Sequence, residues 1–222
     1  HVIAPVSILL LGIALGILII SIFAPEDFDF IFKMYFIGFG ARIFLSFLFF
    51  IFSFVQSGNY SPGFVFPNDG WAYSEQGWQI LKFAERGIRV TMDTFASDPN
   101  MKVWGSSGNI TNYDFFSSHV YSLTGYSPLS LFFISSIASS IAAICVYMIA
   151  KELFSVNVAR ISLLFTLFWP SFIVWSTQNL KEPMIAMFSF ILLLSIFYAV
   201  RYAQPMFLCI AIASFLALSK IN

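Results

Sequence analysis

Apolar residues run along this chain in blocks that leave no polar face between them. Near residues 6–24, 34–55, 128–150, 158–177, 183–200 and 205–219, the blocks approach the about 20 residues that a helix needs to cross a bilayer core. The stretch Phe47 to Phe54 is typical: seven of its eight positions are apolar, so a soluble helix built from it would have no side to turn toward water. Brief connections at Pro25 to Lys33, Lys151 to Asn157 and Arg201 to Gln204 predict antiparallel neighbours in a bundle. The first block, Val6 to Ala24, lacks the basic flank and small-residue cleavage site of a secretion signal and reads as a retained span.

Residues 56–127 break this pattern. They form a long polar and aromatic loop, and in a compact membrane protein such a loop is the natural place for function. Within it, Gly77, Ile80, Leu81, Ala84 and Ile88 recur at helical spacing after Tyr73, with Glu75, Gln79, Lys82 and Arg86 largely opposite. That spacing predicts an amphipathic surface helix near 70–88, with Trp71 and Trp78 at headgroup depth. The fold class expected is therefore an all-α integral membrane protein: two N-terminal spans over 1–55, a large outer loop over 56–127, and about four further spans over 128–222. His1 in place of an initiator methionine, and an end at Asn222 directly after an apolar block, read as a piece of a longer protein.

Composition sharpens the class. The 222 residues are 59% hydrophobic and 10% charged, with 29 phenylalanines, and mean hydropathy is +0.86. Eleven basic and 11 acidic residues cancel, so no basic field invites nucleic acid. Lys33, Lys151, Arg160 and Arg201 flank one set of short connections and Lys181 stands alone on the other, which points the first set to the cytoplasm and the 56–127 loop outward. A bacterial or archaeal plasma membrane is the expected location. Cys145 and Cys209 lie in apolar blocks without redox or metal spacing and read as small core residues. The pair Gly12 and Gly16, and the stripe Ser135, Ala138, Ser139 and Ala142, let helix backbones approach closely. Arg42, a charge inside the second span, is expected to snorkel toward the inner surface.

The candidate chemistry gathers on the outer side. Asp69 opens the surface helix, where a carboxylate caps free N–H groups and also stands ready to accept a proton or hold a divalent metal. Asp93, Asp98, Asp114 and His119 are scattered through the rest of the loop, the carboxylates reading as solvated and His119 as lying close to the membrane surface. Asn109-Ile110-Thr111 fits a glycosylation sequon, a frequent chance match. A second polar island, Trp175-Ser176-Thr177-Gln178-Asn179-Leu180-Lys181-Glu182-Pro183, falls on the same side as Asp69, and polar groups gathered at membrane depth commonly line a substrate path.

Asp69 with Tyr73 after an early span, then Gly125-Tyr126-Ser127-Pro128 entering a small-residue span, resembles the integral membrane glycosyltransferases of the GT-C superfamily. Lys151-Glu152-Leu153-Phe154, Ala159-Arg160, Trp169-Pro170 and Asn179 to Pro183 are similar to its branch of protein mannosyltransferases and aminoarabinose transferases. The resemblance covers most of residues 30–205. It implies a polyprenyl-phosphate sugar donor, a glycan, lipid or protein acceptor, and Asp69 as the group acting on the acceptor hydroxyl. By the same analogy Lys181 would offset phosphate charge and Glu182 would be a second acidic group, with Tyr73, Gln178, Asn179 and His119 as further substrate contacts. A divalent metal, if used, would fall to Asp69 and Glu182. The chain departs from the family in carrying an extra span before the one aligned to the family's first, and a single Asp69 in place of an Asp-Glu pair. Two rivals fit the same residues: a transporter or flippase of lipid-linked glycans, and a non-catalytic membrane assembly subunit.

Overall fold

A computed structural model describes residues 3–57, 69–88, 90–91 and 110–221, and every regular element among them is helical. Helix α1 (Ile3–Phe23) leads through a 3-10 turn (Pro25–Asp27) into α2 (Phe28–Ser57). Helices α3 (Asp69–Glu85) and α4 (Asn112–Thr124) follow, then α5 (Pro128–Leu153), α6 (Val156–Phe168), α7 (Pro170–Ser176), α8 (Glu182–Tyr202) and α9 (Pro205–Ile221). Prolines 128, 170 and 183 sit in the first turns of their helices, where a missing N–H removes no intrahelical bond. The turn from α8 to α9 is made by Ala203 in the left-handed region, at φ 52°.

Helix α5 is the central post. Leu131, Phe132, Ile144 and Tyr147 on it are fully buried, and α1, α2, α6, α7 and α8 all pack against it. The surrounding helices turn large apolar side chains outward, among them Leu10, Phe44, Phe165, Leu193 and Phe215. In water that surface would drive association, whereas against lipid it is ordinary. Lipid removes the hydrophobic drive between helices, so close packing must do the work, and small residues permit it. A side chain at Gly12 would meet Ile137 at 2.6 Å, and one at Gly16 would meet the Tyr35 ring at 2.4 Å. The close approach lets the Tyr35 hydroxyl donate to the Gly12 carbonyl at 2.7 Å. Ser135, Ala138, Ser139 and Ala142 are likewise buried on α5.

Three sequence expectations change. The block at 158–177 is not one straight span: α6 and α7 meet at a 54° bend, because Pro170 has no N–H to continue the ladder. Among the described residues, with that pair counted as a fifth, α1, α2, α5 and α8 are the other helices long and apolar enough to cross a membrane, and α9 is an apolar helix of 17 residues. Arg42 does not snorkel; it is fully buried among protein groups. Cys145 is buried as expected, but Cys209 is exposed on the outer surface of α9.

At the bundle end opposite α3, charges pair rather than repel. Asp27 accepts from the Arg160 guanidinium, at 3.0 Å from Nε, and from the Tyr147 hydroxyl at 2.8 Å. Lys151 bonds Glu26, and Arg201 pairs with Glu152 at 3.0 Å.

The α1–α2 contact is testable through its glycines. Gly16→Val drives a branched side chain into the Tyr35 ring and is expected to lower stability by about 1–3 kcal/mol. Gly40→Ala, with nothing within 4 Å of the added carbon, should change stability by less than about 0.5 kcal/mol. Thermal unfolding in detergent reads both, and equal midpoints for the two variants would contradict the packing.

Candidate functional site

Helix α3 begins at Asp69 and carries Tyr73 one turn later. Its inner face, Ala72, Gln76, Gly77 and Ile80, packs against α4. Gly77 permits this approach, since a side chain there would sit 2.6 Å from Ser117 and 3.1 Å from the Asp114 carbonyl. Trp78 lies over Tyr121 and Tyr126, with ring centroids 6.1 and 5.1 Å away, and the Lys82 ammonium covers it at 4.4 Å. Ala84 and Ile88, expected on the apolar face, are exposed.

The polar island between α7 and α8 meets this helical pair through one residue. Asn179 is fully buried; its amide donates to the Gly70 carbonyl at 3.2 Å, while its oxygen accepts from the Tyr113 hydroxyl of α4 at 3.0 Å. The same hydroxyl lies 3.1 Å from the Leu180 carbonyl. The Tyr113 ring in turn stands edge-on to Tyr73, with centroids 5.0 Å apart. Asn179 thus joins three segments far apart in sequence, and it docks Lys181 and Glu182 beside the turn that carries Asp69.

Electrostatics records the same convergence. The Tyr73 phenol is pushed up to about 12, mainly by burial and then by the negative charges of Asp69, Glu182 and Asp114. Asp114 is fully buried, contrary to the solvated reading, and burial pushes its carboxyl up to about 6. The opposing pull comes from the Thr111 N–H and hydroxyl, the latter 2.8 Å from Oδ2, and from the positive charge of Lys181. Its other oxygen, Oδ1, has no hydrogen-bond partner among the described residues. Asp114 and Tyr113 are the site residues that sequence reasoning passed over. The spacing Thr111-x-x-Asp114 is a capping box, a signal that fixes an aspartate at a helix start, though not its burial.

The remaining candidates separate. Asp69 and Glu182 are exposed, Lys181 is half-buried, and Tyr73 is half-buried between them. Gln178 is buried and turned back toward α7, its amide 3.5 Å from the Val174 carbonyl. His119 is exposed on α4 and bonds the Phe115 carbonyl of its own helix at 2.6 Å, so it takes no part in the Asn179 cluster. Asp93, Asp98 and Asn109 lie outside the described residues. Among the described residues no three His, Cys, Asp or Glu side chains gather as a metal cluster. A divalent ion held by Asp69 and Glu182 would need further oxygens, which a substrate phosphate supplies.

Beside Glu182 a groove of about 440 Å³ runs between α6, α7 and α8. Phe165, Trp169, Phe172, Trp175, Pro183 and Phe190 line it, and Glu182 stands with them. An apolar channel that carries a carboxylate beside a polar loop suits an amphiphile, with its chain in the groove and its headgroup at the loop.

Residues 112–221 match a protein family described as dolichyl-phosphate-mannose-protein mannosyltransferase. No curated protein and no solved structure matches the chain.

The buried Asp114 carboxyl makes a pH prediction. Its folded value lies above that of an unfolded aspartate, so its stabilising contribution is complete below about 3.8 and is lost as pH rises through about 6. Between pH 4 and 7 the wild-type protein should lose on the order of 2 kcal/mol of stability relative to Asp114→Asn, which keeps a capping oxygen. Unfolding midpoints across that range test it, and parallel pH curves for the two proteins would mean that the carboxyl is solvated.

Proposed function

We propose that this chain is a membrane glycosyltransferase of the GT-C type, which the match of residues 112–221 to a protein mannosyltransferase family supports, and that it moves a sugar from a polyprenyl-phosphate donor to an acceptor hydroxyl on the outer face of the membrane. The observation that carries the reading is the Asn179 tie, which sets Lys181 and Glu182 against the start of α3, where Asp69 stands. Asp69 is exposed at that corner, as a group that meets an acceptor from the aqueous side must be. The isoprenoid chain lies in the apolar groove, and its phosphate rests at Lys181, whose ammonium offsets the negative charge.

The reaction then balances simply. The acceptor hydroxyl gives its proton to the Asp69 carboxylate while its oxygen bonds to the anomeric carbon. The bond from that carbon to the phosphate oxygen breaks, and polyprenyl phosphate leaves with the electron pair. A divalent cation, when bound at Asp69 and Glu182, supplies charge neutralisation at the phosphate. The half-buried Tyr73 phenol stays protonated at neutral pH and serves as a hydrogen-bond donor beside the two carboxylates. On this reading the protein sits in a bacterial or archaeal plasma membrane with residues 56–127 outside, and its acceptor is a glycan, lipid or protein.

One observation favours a second reading. A span broken by 54° over a buried arginine is a feature of transporters, so translocation of a lipid-linked glycan along the same groove is the alternative. Transfer of label from a panel of polyprenyl-phosphate sugars, in membranes with and without chelator, separates the two. Asp69→Asn, at normal expression, should lower transfer by about two to four orders of magnitude. Equal transfer by both proteins would remove Asp69 from the mechanism, and no transfer from any donor would favour translocation.

A further inference from the structure

Arg42 lies outside the family-matched residues and contributes no group to the cluster around Tyr73, yet it is the largest of the fully buried side chains. A guanidinium inside a membrane bundle is expensive unless its donors are used, and no carboxylate among the described residues pairs with it. Its partners are neutral oxygens. Nε donates to the Ser176 hydroxyl at 3.0 Å, Nη1 to the Gly38 carbonyl at 3.0 Å, and Nη2 reaches the Thr166 carbonyl at 3.4 Å. Phe172 lies 5.9 Å from the guanidinium carbon.

These partners follow from the break in the span. In an unbroken helix the Thr166 carbonyl would accept from the N–H of residue 170, but that residue is proline and has none. Inside a bundle such an orphaned oxygen needs a protein donor, and Arg42 supplies it. Ser176 ends α7 on the far side of the break. Its hydroxyl proton goes to the Ile173 carbonyl at 2.9 Å, which leaves the oxygen lone pairs for Arg42, and its carbonyl accepts from Ser136 of α5 at 3.1 Å. The planar guanidinium reaches both sides of the bend at once, which the single ammonium of a lysine does not. Thr177 to Glu182, the segment that docks on α3, starts at the next residue.

We propose that Arg42 is a positioning residue: by bonding Thr166 before the break and Ser176 after it, it fixes the bend between α6 and α7 and thereby sets where Asn179, Lys181 and Glu182 meet α3. Its effect on sugar transfer rests on the glycosyltransferase reading, whereas its effect on geometry does not.

The test pairs a distance with an activity. Spin labels at Glu85→Cys on α3 and Ser171→Cys on α7, in a Cys209→Ser background, report how the two helices are placed. With Arg42 present the distance distribution is narrow. Arg42→Met broadens or shifts it and lowers transfer by about a hundredfold, and Ser176→Ala, which removes one bond and leaves the buried charge, does so by about tenfold. Pro170→Ala returns an N–H to the Thr166 carbonyl. Added to Arg42→Met, it should raise the unfolding temperature without restoring either the distance or the transfer. Recovery of all three by the double variant would show that Arg42 merely satisfies a carbonyl, and would overturn the proposal. So would an unchanged distance in folded Ser176→Ala or Arg42→Met protein. The distances read the same way whether or not any polyprenyl-phosphate sugar proves to be a donor.

Discussion

Inside a bilayer each backbone N–H and C=O must find a partner within the protein, and this requirement organises the molecule more strongly than any single contact. It makes the apolar blocks helical, because a helix satisfies its own backbone. It also dictates what happens where the helix fails. Pro170 interrupts α6, and the Thr166 carbonyl left behind is met by Arg42. The loop after α7 brings further backbone groups out of helical pairing, and these are met from inside: Leu180 by Tyr113, and the Gly70 carbonyl of α3 by Asn179. A buried polar network is stable only when nearly every member is satisfied, and each bond that satisfies this one ties two segments together. The site is thus assembled by the same accounting that keeps the broken span in the membrane.

How far the sequence made this legible depends on whether a feature is local. Helix positions and the bundle class follow from runs of apolar residues, because hydropathy is a property of each residue and its neighbours. The close approach at Gly12 and Gly16 was visible as a spacing. The break at Trp169-Pro170 was also written in the chain, but hydropathy averages across a proline, so 158–177 read as one span. Asp69, Lys181 and Glu182 were marked by type and by side of the membrane. The atoms that join them were not. Asn179 reads as one more polar residue in a turn until it is seen between Gly70 and Tyr113, and Asp114 looks solvated until α3 covers it. Arg42 was marked as anomalous, but snorkelling was the wrong resolution, because its partners lie on helices whose packing no local rule supplies.

Around Tyr73 the arrangement sets charges against one another. Asp69, Asp114 and Glu182 all raise the Tyr73 phenol, and three carboxylates that reach one hydroxyl also repel each other. Two of them are exposed, so water screens their charges. Asp114 is buried, and burial pushes its carboxyl up to about 6, nearer to being neutral. Lys181 stands within the field of Asp114 and beside Glu182 in the chain, so the one cation of the loop is shared. A phosphate brought to Lys181 would add negative charge to a region already rich in it. On the proposed reading, phosphate binding there would need either protonation of one carboxyl or a counter-cation.

The two ends of the bundle differ in how they are held, and the difference assigns their roles. At one end Asp27, Arg160 and Tyr147 join three helical segments, and the pairs Glu26–Lys151 and Glu152–Arg201 add two more links. Together these links fix the register of α2, α5, α6 and α8 at that end. At the other end, beyond the bend that Arg42 holds, neutral hydrogen bonds through Asn179 and Tyr113 join the loop to α3 and α4, next to an open apolar groove. Neutral bonds break and re-form more readily than charge-assisted ones, and a short helix beyond a proline break has few bonds of its own. On the proposed reading, a site that admits a long lipid and releases it would belong at the end that can yield, with the stapled end as the fixed reference against which it moves.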